Sequence, residues 1–272
     1  MSGPPVTASV DYLLHLADNA LVLGQRNAEW CANGPVLEED IALANISLDL
    51  IGQARFLYQR AAELMNAGPS AAGVPATEDT LAYFRDAQEF RNYSLLELPH
   101  SISPGGERDY AVAIVRNFLY SALMVLLWEA LQKSSDAQLA AIAERSLKET
   151  RYHLRHSRDW LIRLGDGTED SHARTQAALN HLMPYTLEFW AESATEPAAA
   201  AAGNGPAMPA LRDAWMALVT NATTTATLKL PELKNAAHEP LPQGKNGQHS
   251  EHLKPLLDEM QSLARQHPGA TW

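Results

Sequence analysis

Apolar residues recur at helical spacing along most of the chain, and no set of segments alternates apolar and polar residues with the period of a strand. The first segment, Asp11 to Cys31, places Leu13, Leu16, Ala20, Leu23 and Asn27 on one side and Asp11, Asp18, Val22, Gln25 and Glu29 on the other. That second side reads either as a largely solvated face or as one that points Gln25 or Glu29 at a bundle centre. After the turn signal Asn33-Gly34-Pro35, Leu37 to Met65 predicts a second long helix. It is apolar on nearly every side (Ile41, Leu43, Ile46, Leu48, Leu50, Ile51, Phe56, Leu57) and is expected to be central and buried. Asp109 to Lys133 predicts a third, also apolar almost all round, and Gln138 to Leu164 a fourth, capped by Ser134-Ser135-Asp136 and stopped at Gly165 and Gly167.

Shorter elements fill the rest. Thr77-Glu78-Asp79 caps a helix through about Arg91, and Leu95 to Glu107, with its prolines and glycines, is an irregular connection. A fifth helix runs to about Glu192, a sixth spans Ala207 to Ala226, and a last amphipathic one spans Glu251 to Gln266. Ala194 to Gly205 is low in complexity and reads as a mobile surface insertion, and Lys229 to Ser250 as extended or irregular. The architecture is all-α, four long antiparallel helices plus peripheral ones. With no Ser/Gly-rich linker, residues 1–272 form a single domain.

Composition narrows the function classes. A net charge of −11 argues against nucleic acid as the main partner, although Arg151, Arg155 and Arg158 form a local basic cluster able to hold an anion. One cysteine, Cys31, excludes an internal disulfide framework and a cysteine-based zinc cluster. No apolar run reaches the roughly 18 residues of a membrane span, and the first residues carry no signal-peptide pattern, so the expected compartment is the cytoplasm.

On the fourth helix Ile142, Ser146, Glu149, His153, His156, Trp160 and Leu164 share one face. A carboxylate and a histidine one turn apart, aimed into a bundle, is how carboxylate-bridged di-iron sites are built, but those use Glu-x-x-His, and here Tyr152 stands three after Glu149. On the second helix Asn45, Asp49 and Gln53 line up, with Gly52 three after Asp49. The third helix has no carboxylate between Asp109 and Glu129, only Asn117, Tyr120 and Ser121 as neutral polar groups in its middle. A di-metal site needs about four carboxylates and two histidines from four helices. This donor set favours a buried polar network over metal binding, one pairing Asp49 and Glu149 with Arg145 or His153. The run Gly244 to His249 resembles an anion-binding loop only loosely, and a flexible connector is the favoured reading.

Four runs, 21 to 55, 78 to 92, 147 to 171 and 249 to 272, carry a resemblance that extends over nearly the whole chain. They resemble the C subunits of the bacterial ring 1,2-phenylacetyl-CoA epoxidases, the PaaC family. The resemblance implies a ferritin-like four-helix bundle that pairs with a homologous catalytic subunit holding the di-iron centre. It implies a non-catalytic structural subunit in aerobic phenylacetate breakdown, which meets phenylacetyl-CoA only indirectly. It also implies further partners in the complex, a reductase among them, and no cofactor on this chain. By position, Gln25, Asp49, Gln53, Ser121, Glu149, Tyr152 and His153 are then the remnant of a di-iron site, or the polar network that replaces it. The other function class is an independent ferritin-like di-metal oxidase or iron-handling protein.

Overall fold

A computed structural model of the chain describes residues 7–68, 75–103, 105–191, 193–233 and 243–270. Among these residues there are ten α-helices and no strand. The chain divides into two compact units, Met1–Leu98 with Pro242–Trp272, and Pro99–Leu241.

The first unit is built on α1 (Val10–Ala28) and α2 (Leu37–Ala67). Asp18 of α1 meets Tyr58 of α2, while Gly24 lies against Leu50 and Ile51, so the two helices run antiparallel. A Cβ at Gly24 would come within 3.2 Å of the Ile51 side chain, and the bare glycine lets the helices close up there. Ser9 caps α1 through the Tyr12 amide. The helix predicted from Thr77 to Arg91 is only α3 (Glu78–Tyr83), held by a Thr77–Thr80 capping box. It stops there because Arg85 turns inward and Asp86 and Glu89 close a second, separate turn. A further short helix, α4 (Ser94–Glu97), interrupts the stretch expected to be irregular.

The second unit is built on α5 (Tyr110–Leu131) and α6 (Ala137–Gly165). Tyr110 stacks edge-on against Trp160, and Glu129 pairs with Arg151 at 2.8 Å, so these helices are antiparallel as well. The sequence reading expects no stretch of membrane-span length because Arg116 and Asn117 interrupt the apolar run of α5, and the helix corrects that. It is long and apolar enough to span a membrane, yet 94% of that stretch is buried, as in a core helix. Then follow α7 (Glu169–Leu182), α8 (Thr195–Ala201) and α9 (Arg212–Thr225). Pro184 ends regular α-helix after α7 and turns the chain into a 3-10 segment. The alanine-rich stretch is helical rather than loose. Glu196 and Ala199 are buried, and the Gly203 carbonyl accepts from the Ser135 amide at 2.9 Å. Trp215 of α9 is fully buried and donates its indole N–H to the Leu119 carbonyl at 3.0 Å.

The chain returns to the first unit with α10 (Leu253–Gln266). Gln261 donates to the carbonyls of Ala82 and Arg85, both at 3.1 Å, and Arg265 to that of Tyr83, which fixes α10 against α3. The Gly244–His249 run is a packed plug, not a flexible connector. A Cβ at Gly244 would collide with the Asn92 carbonyl, and Lys245 is buried with its ammonium 5.9 Å from the Tyr93 ring centre. Residues 234–242, part of the segment expected to be extended, lie outside the described residues.

Candidate functional site

The densest polar chemistry lies on the side of α1 that could have been solvated. Asp18 has no solvent exposure. Its carboxylate accepts from the Tyr58 hydroxyl at 2.6 Å, from both terminal nitrogens of Arg85, and from the Arg91 amide at 2.8 Å. Arg85 also lies over the Phe90 ring, 4.3 Å from its centre. Burial pushes the Tyr58 phenol well above its ordinary range, and the Asp18 charge adds to the rise. For Arg85 burial is the largest influence and opposes the cation, but Asp18 and Tyr58 outweigh it, so its pKa rises. One turn away His15 contacts the Arg91 carbonyl at 2.7 Å, and the Asn19 side-chain oxygen accepts from the Tyr93 amide at 2.7 Å.

A second buried carboxylate, Glu97 on α4, ties down the chain before α10. It accepts from the Ser250 amide at 2.5 Å and from Asn92 at 3.0 Å, and its Oε2 lies 2.9 Å from His249 Nδ1. The other ring nitrogen of His249 lies 3.0 Å from the Phe90 carbonyl oxygen. Arg26 donates to the Glu97 carbonyl through Nε and Nη2, and Nη2 also reaches the His252 carbonyl. Every anion here is met by several donors. That is the condition for burying it, and it leaves none of these groups facing open space with a reactive lone pair.

The residues singled out by sequence fall in two places. In the first unit, Gln25 and Asp49 are half-buried and Gln53 is buried. A side chain at Gly52 would meet nothing within 4 Å. In the second unit Ser121 and His153 are buried, and the Ser157 hydroxyl donates to the His153 carbonyl. Glu149 keeps 25% of its side chain exposed, with Arg145 Nε at 3.5 Å, and Tyr152 is 43% exposed, stacked on His156. The buried stripe of α6 runs through Leu139, Ala143, Ser146, Thr150, His153, Ser157 and Leu161. It is turned by roughly 60° from the face the sequence pattern favoured, because Ala143 and Ser157 are small enough to be packed over. Asp49 is displaced similarly, roughly 110° from the centre of the buried side of α2.

Residues 4–272 match the family described as phenylacetic acid catabolic protein. The chain is also 43% identical, over 261 residues, to the C subunit of the 1,2-phenylacetyl-CoA epoxidase of Escherichia coli strain K12, a span that covers 96% of this chain and 98% of that one. This chain belongs to the phenylacetic acid catabolic protein family. The family is ferritin-like, and the all-helical structure agrees. A ferritin-like frame raises the question of a di-metal centre, so the donors matter. Among the described residues no group of three or more His, Cys, Asp or Glu side chains is arranged to hold a metal ion. The residues present do not fit a di-iron centre of the four-carboxylate, two-histidine kind.

Sequence reasoning missed the Asp18–Arg85–Tyr58 cluster and the Glu97–His249 contact. One signal was available: His15, Asp18, Asn19 and Arg26 share a face of a helix whose flanks are apolar. It could mark the face as polar and packed, but not name partners 67 and 40 residues away.

Proposed function

We propose that this chain is the C subunit of a 1,2-phenylacetyl-CoA epoxidase, a non-catalytic structural subunit acting in the cytoplasm. Residues 1–272 serve as one functional domain that holds no iron. Its apolar surface docks on the homologous subunit that carries the di-iron centre, and the assembled complex, with its reductase, meets phenylacetyl-CoA. The near full-length 43% identity to such a subunit supports the assignment.

The observation that carries the structural role is on α2. The sequence pattern makes this helix buried all round, but Leu37 (70%), Ile41 (53%), Leu48 (66%) and Ile51 (37%) are exposed. At helical spacing Leu37, Ile41 and Leu48 fall within roughly 20° of one line, and Ile51 lies at the edge of the strip, where its side chain also meets Gly24 of α1. A contiguous apolar strip is what a permanent hetero-complex covers, and such interfaces bury upward of about 2,000 Å².

The test introduces charge there. Ile41→Asp with Leu48→Asp should leave the isolated chain folded, since both side chains are exposed, while co-purification with the catalytic subunit and turnover are lost. Assembly and turnover at the wild-type level would end the docking assignment. Uptake of stoichiometric Fe(II) by the purified chain would instead favour an independent di-metal protein.

A further inference from the structure

The outer face of α6 has a charge unlike the rest of the protein. Six of the chain's 21 basic residues and only three of its 32 acidic ones lie on this helix, so α6 carries +3 while the remaining chain carries −14. All six cations, Arg145, Lys148, Arg151, Arg155, Arg158 and Arg163, are exposed. Four of them have a carboxylate nearby: Glu149 at 3.5 Å, Glu144 at 3.7 Å, Glu129 at 2.8 Å and Asp159 at 3.7 Å. Among the described residues the other two, Arg155 and Arg163, meet aromatic rings instead, 5.5 Å from the centre of Tyr152 and 5.4 Å from that of Trp160. A guanidinium laid on a ring is held in place and still offers its N–H fork outward. Exposed arginine beside a solvent-facing tyrosine is also the residue pairing in which interface hot spots are enriched.

We infer that this face of α6 is a second docking surface, separate from the α2 strip, and that its partner is the acidic face of another protein component of the epoxidase. The inference rests on the function proposed above. From Arg145 to Arg163 the row is roughly 27 Å long at 1.5 Å per residue, too long for one small anion. The carboxylates of Glu144, Glu149 and Asp159 are interleaved along it and would repel a continuous polyanion such as nucleic acid. A folded protein presents carboxylates one at a time and can match the row. A second copy of the chain fits poorly. A symmetric contact sets α6 against α6, like charge on like, and a head-to-tail one does not close. Because the chain as a whole is acidic, an acidic partner can approach only where the local sign is reversed, which makes the contact sensitive to salt.

The test reverses Arg155 and Arg163 to Glu, with Arg155→Lys/Arg163→Lys as the charge-conserving control, after circular dichroism melting shows that each variant is folded. Each chain is titrated at about 50 and about 300 mM salt with the other epoxidase subunits, purified separately, and with a Glu-rich helical peptide and a DNA duplex as probes. At least one subunit and the peptide should bind the wild type. Affinity should fall about tenfold or more on charge reversal and likewise at the higher salt, and the lysine control should retain it. Leu48→Asp should leave binding of the peptide unchanged. Equal affinity of wild type and reversed chain for every subunit and for the peptide overturns the inference, as does tighter binding of the duplex than of the peptide. Should no subunit bind even the wild type, the proposed function fails, and the peptide titration alone decides the present inference.

Discussion

Asp18 on α1 and Glu149 on α6 both sit on amphipathic helices, yet the first is sealed from water and the second keeps a quarter of its side chain exposed. The difference comes from the donors that surround them. Asp18 draws a guanidinium, a phenol and a backbone amide from three separate stretches of chain. Glu149 has among its partners Arg145 from its own helix, 3.5 Å away and itself 63% exposed. Apolar neighbours do not make an acidic residue buried. The supply of donors does, because an uncompensated charge loses more in desolvation than packing around it returns.

The comparison predicts its largest effect at Asp18. Replacing it with Ala leaves the Arg85 cation buried against Phe90 without its carboxylate, at a cost of about 3–5 kcal/mol. Urea denaturation of the folded chain measures this directly. A loss under about 1 kcal/mol would mean that Arg85 finds water or another acceptor, and that the contrast with Glu149 is one of position only.

A smaller effect follows from the phenols. Tyr58 and Tyr120 are both pushed above the ordinary value of 10.0, each by burial and Tyr58 also by Asp18. The fold therefore favours their protonated forms, while the unfolded chain ionises above about pH 10. Their contribution to stability is complete below that pH and declines as pH rises further. A spectrophotometric alkaline titration should show these two phenols ionising only together with loss of helical circular dichroism. Ionisation of Tyr58 in a chain that is still helical would place water at Asp18.

The helices themselves were legible from the chain. The second, third and fourth long segments lie within two residues of α2, α5 and α6, because uninterrupted runs of good helix formers bounded by Pro and Gly leave few alternatives. The stretch after Thr77 was not, since Arg85 and Phe90 are claimed by contacts with Asp18 and with each other that no local pattern records. The orientation of the candidate site was misread, although counting ligands along the four helices needs only the sequence and finds too few for two metal ions. Periodicity alone could not decide which edge of α6 is covered, because Ser157 and Ala143 are small enough to lie under another helix as easily as Ile142 or Trp160. The same limit applies to α2. Its apolar residues exceed what one neighbour covers, and only the structure shows which of them remain outside.

The smallest expected effect is at Glu149. Glu149→Gln keeps the shape of the side chain and removes its charge, so it tests whether the carboxylate acts as an anion, a ligand or a proton carrier. With Arg145 more than half exposed, the ion pair contributes little, and the change in stability should stay within about 0.5 kcal/mol. In the assembled complex the variant should support wild-type turnover at every pH tested, because the proposed role of this subunit is docking. A drop of roughly 10²-fold or more with the complex intact and iron-loaded is the scale of a lost general acid or base. It would move Glu149 into the chemistry despite its exposure, and the contrast between a sealed structural carboxylate and a solvated idle one would give way to one between a structural carboxylate and a working one.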